Sequence, residues 1–200
     1  MIEQLVLVRH AETLHNVAGI TQGGSDSALS ERGERQAHAL AARAAQLAPD
    51  ALFSSPLPRA MTTARAIAES SGLEIVLLDD LREMNFGHWE GQSFREIRRT
   101  DAEAARCWMD DADAPCPGGE SHNDVRQRMA RAFAAAAAAA TRPIIVTHGT
   151  AIRVAATILL DTPVMTARHL AQDNASINIF ERRGERMVLK LWNDTSHCLE

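Results

Sequence analysis

Two pairs of residues in this chain stand where chemistry is commonly found. Arg9-His10 follows directly on the apolar run Leu5 to Val8, and His148-Gly149 follows directly on the run Pro143 to Thr147 (PIIVT). A short apolar run that stops at a polar pair reads as a buried strand ending in a turn, and in α/β sheets reactive groups collect at such ends. If the two strands lie parallel and adjacent, both pairs face one crevice. Arg59 falls in the first turn of a helix expected after the strand Ala51 to Ser54, so it points the same way, with the positive end of the helix beside it. A single histidine at a strand end is most simply structural. Two arginines, two histidines and a helix end together describe a phosphate site, because the planar guanidinium makes paired hydrogen bonds to phosphate and stays charged at neutral pH.

Other chemistries lack their residues. The one lysine, Lys190, sits in an alternating stretch near the end, so neither a phosphate-cradling G-x-x-x-x-G-K-[ST] loop nor a well-placed Schiff-base lysine is available. Cys107, Cys116 and Cys198 are odd in number and lack C-x-x-C spacing, which speaks against a disulfide framework and a zinc site. Six residues after Cys107 and Cys116 come Asp113 and His122, where a cysteine phosphatase needs arginine. His15, His38, His88, His122, His169 and His197 form no metal-binding spacing and read as surface or structural groups, although His88 and His122 lie in segments placed to roof the pocket.

Positioning these residues requires a scaffold, and the 200-residue chain is long enough to bury a full core. With 46% hydrophobic and 24% charged residues it has globular composition. Helical periodicity is expected over Glu31 to Leu47 behind Ser30, Leu57 to Ser71 before Gly72, Ser93 to Met109, Ser121 to Thr141 and Ala151 to Leu160. Further strands are expected at Glu74 to Leu78, Asn174 to Arg182 and Met187 to Trp192, and a long ordered loop over Asp79 to Gln92, with Trp89 as its packed anchor. Alternating strands and helices indicate one three-layer α/β/α domain over residues 1–200, with a mostly parallel mixed sheet and an insertion at 79–120 covering the strand ends. A net charge of −5, without arginines interleaved with aromatics, argues against nucleic acid as a partner. No apolar run reaches the ~18 residues of a membrane span and the N-terminus lacks a basic start, so a cytoplasmic protein without a membrane partner is expected. Its oligomeric state is left open.

From Leu5 to His197 the chain resembles the histidine phosphatase superfamily, the phosphoglycerate mutase-like proteins. LVRHAET (Leu7 to Thr13), followed by Asn16 and Gln22-Gly23, is similar to the nucleophile motif and its phosphate-contacting asparagine. SSPLPRAMTTA (Ser54 to Ala64) resembles the second arginine motif, LREMNFGHWEG (Leu81 to Gly91) the acid loop, PGGES (Pro117 to Ser121) a later loop, and VTHGTAIR (Val146 to Arg153) the second-histidine motif. The resemblance implies His10 as nucleophile, Glu83 as proton donor and His148 as the second catalytic histidine. It implies a phosphate pocket of Arg9, Asn16, Arg59 and Gly149, with Gln22, Gly23 and His88 as candidate substrate contacts. Glu12 and Glu90 are the rival acids, Glu12 lying in the tight turn after the nucleophile and Glu90 capping or pairing near Trp89. Ile20 stands where many members carry arginine, which removes a contact to an acidic substrate. Leu199-Glu200 could be a vector-derived remnant, because the family-like ending is complete by NDTSH (Asn193 to His197).

The implied activity is phosphomonoester hydrolysis of a small phosphorylated metabolite through phospho-His10, without metal or cofactor, since guanidinium and imidazole supply the positive charge. The flanking charges of Arg9 and Arg59 oppose protonation of His10, while a backbone carbonyl can fix its other ring proton. The alternatives are a 2,3-bisphosphoglycerate-dependent phosphoglycerate mutase, the α-ribazole phosphatase of cobalamin synthesis, and a non-catalytic phosphate-binding protein. The mutase is disfavoured by the short loop Met84 to Trp89 and the lack of any tyrosine, the non-catalytic reading by the intact set Arg9, His10, Arg59, Glu83 and His148.

Overall fold

The computed structural model describes residues 1–198, so Leu199-Glu200, and the reading of them as vector-derived, lie outside the described residues. In chain order the elements are β1 (Gln4–Arg9), α1 (Leu14–Ala18), α2 (Glu31–Ala45), β2 (Ala51–Ser54), α3 (Pro58–Ser71), β3 (Ile75–Leu77), α4 (Phe94–Thr100), α5 (Ala102–Asp110), α6 (His122–Ala139), β4 (Pro143–Thr147), α7 (Gly149–Leu159), β5 (Ile177–Arg183) and β6 (Arg186–Asp194). The sheet runs β3-β2-β4-β1-β5-β6, with β1 to β4 parallel and the β5-β6 hairpin antiparallel at one edge.

Strands that are apolar at every position need cover on both faces. Leu5, Leu7, Phe53, Ile145 and Phe180 pack toward α6 and α7, while Val6, Val8, Leu52, Ile144 and Val146 pack toward α2 and α3. The result is a three-layer α/β domain, as the sequence predicts. From β1 the chain departs toward one face and from β4 toward the other, and the two strands are neighbours with Arg9 opposite Thr147. Helices leaving on opposite faces open a crevice between adjacent strand ends, the switch point at which ligands bind in open α/β sheets.

Local chemistry sets most boundaries. Ser30 Oγ accepts from Gly33 N to start α2, Pro58 occupies the first position of α3, where an N–H would lack a partner, and Gly72 ends it at φ 72°. Where the expectation of one helix over Ser93 to Met109 fails, the cause is Asp101. It takes non-helical angles (φ −141°, ψ 49°) and its carboxylate accepts from Trp89 Nε1 at 2.9 Å, which divides the segment into α4 and α5. The helix expected to reach Thr141 stops at Ala139, because Asp50 draws Thr141 N, Thr141 Oγ1 and Arg142 N onto its carboxylate, each at 2.8 Å. The expected loop 79–92 contains two short 3-10 turns, at Asp79–Leu81 and Gly87–Trp89, with Leu81, Met84, Phe86 and Trp89 buried as anchors. Among the described residues no helix is long and apolar enough to cross a membrane.

Candidate active site

His10 N donates to Thr147 O and Ser55 N to Val146 O, so the ends of β1, β2 and β4 are stitched together beneath the crevice. The His10 and His148 rings lie 5.2 Å apart, both essentially buried. His10 Nδ1 lies 2.8 Å from Ala11 O, and a carbonyl accepts only from a protonated nitrogen, so the free lone pair of a neutral ring falls on Nε2. Ser55 Oγ accepts from Leu57 N at 3.3 Å and lies 2.8 Å from His148 Nε2, which pins that side of the ring, while the buried Nδ1 has no protein partner.

Burial, followed by the charges of Arg9 and Arg59, pushes His10 well below the ordinary histidine range, against the pull of the Ala11 carbonyl. Burial, then Arg59 and His10, does the same to His148. Burial also draws Arg9 down to about 10, opposed by Glu83, which leaves it charged at neutral pH. Folded values below the unfolded 6.5 mean that the unfolded chain binds more protons as pH falls through 6.5, so stability drops with falling pH. His122, buried and stacked on Trp108 at 4.6 Å, is lowered to about 4 by burial, with Arg153 and Arg168 adding to the shift. This residue alone removes on the order of 2 kcal/mol between pH 7 and pH 5, and His10 and His148 act in the same direction. Thermal melts at the two pH values test this: a clear drop in Tm is expected at pH 5, and an unchanged Tm would show that these rings protonate in place.

Around His10 a cavity of about 240 Å³ is lined by Arg9, Asn16, Gln22, Gly23, Arg59 and Glu83. Arg59 Nη1 donates to Ser25 O and Asp26 Oδ1, and Nη2 donates to Gly23 O, so the loop 22–26 holds the guanidinium while Nε keeps no partner. Gly23 is required there: its φ is +55°, and a Cβ would sit 2.0 Å from Glu90 Oε1. Arg9 donates through Nη1 to Gln172 O, and its Nε too is unpartnered. Asn16 Oδ1 accepts from Thr13 N, Thr13 Oγ1 and Asn174 Nδ2, at 3.1, 3.0 and 3.1 Å. Its amide orientation is therefore fixed, and Nδ2 is left to donate to a ligand. Glu83 stands at the start of α7, accepting from Met84 N, Thr150 N and Ala151 N at 2.9, 3.1 and 3.1 Å.

Three expected residues lie off the cavity wall. His148 stands behind His10, its ring 5.2 Å away. Gly149 does not line the cavity but backs Arg9, where an added Cβ would lie 3.4 Å from Cζ and Nε, in van der Waals contact with the guanidinium. His88 is exposed, with its ring over Gly118, because the 3-10 turn at Gly87–Trp89 carries it outward. Of the rival acids, Glu12 is turned toward Ser30 and Arg32, and Glu90 accepts from Gly24 N, Ser25 N and Phe86 N, clamping the acid loop to the loop that holds Arg59. The reading from sequence missed Ser55 as the partner of His148 and missed α1. For α1 a signal existed, since Thr13 and Asn16 have the spacing of a capping box, and the structure forms one.

The family model of the histidine phosphatase superfamily (branch 1) matches residues 5–195. The chain belongs to this superfamily. One superfamily relative, described as a probable phosphoglycerate mutase GpmB from Erwinia tasmaniensis, is 34% identical over 97% of this chain and 94% of its own length. A solved mycobacterial glucosyl-3-phosphoglycerate phosphatase complexed with VO3 is 35% identical, with a TM-score of 0.87 over 96% of this chain and 98% of the other. The phosphoserine phosphatase of Entamoeba histolytica, solved in complex with 3-phosphoglyceric acid, is 29% identical, with a TM-score of 0.87 over 98% and 99% of the two chains.

Proposed function

We propose that this protein hydrolyses phosphomonoesters of small metabolites through a phosphohistidine on His10. One observation carries the reading: the Ala11 carbonyl holds the His10 ring proton on Nδ1, and the Nε2 left unprotonated belongs to a ring that shares a cavity with Arg9, Arg59 and the Glu83 carboxyl. Arg9, Arg59 and Asn16 Nδ2 donate to the phosphoryl oxygens, with the His148 ring close behind His10, and so spread positive charge over the oxygens that gain charge as the ester bond breaks. The lone pair on His10 Nε2 forms the N–P bond while the P–O bond to the leaving group breaks, and the departing oxygen takes its proton from Glu83. Glu83, now a carboxylate, takes a proton from water. The hydroxide attacks phosphorus, the N–P bond breaks, and inorganic phosphate leaves a neutral His10.

A mutase reading is favoured by one finding, the 34% identity to a protein described as a probable phosphoglycerate mutase. It differs in the second half-reaction, where the phosphohistidine is returned to an organic hydroxyl. The two separate in a single assay: phosphomonoesters, 3-phosphoglycerate among them, are supplied in excess chelator with and without 2,3-bisphosphoglycerate. Release of inorganic phosphate is expected, undiminished by the chelator. Isomerisation of 3-phosphoglycerate without net phosphate release would establish the mutase, and activity restored by one divalent ion would overturn the metal-free mechanism.

A further inference from the structure

We propose that the site takes phosphomonoesters whose leaving group is uncharged and apolar, and turns away those that carry a carboxylate, an inference that rests on the phosphatase reading above. With the phosphoryl group among Arg9, His10, Asn16 and Arg59, the side walls left for the rest of the molecule are chiefly Ile20, Phe86 and Phe94. Among the described residues the only cations lining this cavity are Arg9 and Arg59, and both belong to the phosphate cradle. The apolar wall is built in. Ile20 pairs in a short bridge with Ser93, which sets it beside Phe94, and the Phe94 and Phe86 rings meet edge to face at 6.3 Å. Trp108 backs both rings, at 5.7 Å from Phe94 and 6.1 Å from Phe86. Gln22, buried with Oε1 unpartnered, adds one neutral group able to meet a hydroxyl.

Turning the leaving group the other way, past Glu83, does not help a carboxylate. The adjoining cavity, about 520 Å³, is lined by Asp79, Glu83, Glu90 and Glu120 against Arg82 and Arg128. Arg128 is consumed by Glu120 and by the carbonyls of Asp80 and Arg82, and Arg82 is paired with Asp79. An anion on the Ile20 side loses water and finds no cation outside the phosphate cradle, and on the other side it meets four carboxylates against two arginines; desolvating an unpaired charge is costly. An aryl or alkyl group on the Ile20 side instead covers apolar surface.

Phenyl phosphate and 4-carboxyphenyl phosphate test this, because the carboxylated phenol is no poorer a leaving group and any preference for the plain ester must come from the pocket. The wild-type protein is expected to favour phenyl phosphate in kcat/KM by roughly tenfold or more. Ile20→Arg should shrink or invert the ratio, mainly by lowering KM for the carboxylated ester. A wild-type ratio at or below one overturns the proposal and needs no variant to read. So does an unchanged ratio in Ile20→Arg that circular dichroism shows to be folded. Failure to hydrolyse either ester, with no label on the protein after rapid quench, would instead overturn the phosphatase reading on which the proposal rests.

Discussion

In His10→Ala, turnover falls by about 10³-fold or more, and rapid quench with labelled substrate leaves no phosphate on the protein. The size of the loss follows from the geometry. The neighbouring ring of His148, 5.2 Å away, cannot take over, because its Nε2 is held against Ser55 Oγ and its Nδ1 is buried away from the cavity wall. Arg9, Arg59 and Asn16 are held by their own partners and not by His10, so the variant keeps its cradle and still binds inorganic phosphate or vanadate. Loss in kcat with retained anion binding is therefore the signature, together with an acid-labile, alkali-stable label in the wild-type protein alone. A fully labelled His10→Ala would remove His10 from the nucleophile's role.

Glu83→Gln produces a different pattern. With a poor alkyl leaving group the phosphorylation step slows by roughly 10²- to 10⁴-fold, the usual contribution of a positioned proton donor, whereas an activated aryl phosphate loses much less. Equal losses on both would deny Glu83 the acid's role. The variant also carries a structural cost that can be read separately. Glutamine keeps an oxygen for Met84 N and Ala151 N but turns an NH2 group toward Thr150 N, a donor facing a donor, for about 1 kcal/mol of stability. A small fall in Tm accompanied by the leaving-group contrast separates a lost proton from a loosened helix start.

The convergence of Arg9, His10, Arg59 and His148 was legible in the sequence because its information is local. Apolar runs ending at Arg9-His10 and His148-Gly149 mark strand ends, and one register, Arg9 opposite Thr147, is enough to bring them together. What stayed hidden depends on partners far along the chain. The break between α4 and α5 comes from Trp89 reaching Asp101, and the early end of α6 comes from Asp50, ninety-one positions before Thr141. The packing of Gly149 was hidden for the same reason: the resemblance placed it at the phosphate, and only the folded chain shows that its neighbour is the Arg9 guanidinium. Ser55 stands next to a recognisable motif, yet its role is set by the neighbouring strand carrying His148.

The Glu90 clamp changes how a mutational scan of this protein should be read. Its carboxylate joins Gly24 and Ser25 to Phe86, so truncating it releases the loop that grips Arg59 and the loop that presents Glu83 in one stroke. A scan ranking residues by lost activity alone would place Glu90 with the reacting groups, although its carboxylate is spent on the backbone of two loops. Losses from Glu90→Ala should be shared alike by poor and activated esters and should not add to those of Arg59 variants, since both act through one loop. Selection on turnover would therefore hold Glu90 constant, while Ile20 and Phe94, outside that clamp, could vary with the substrate.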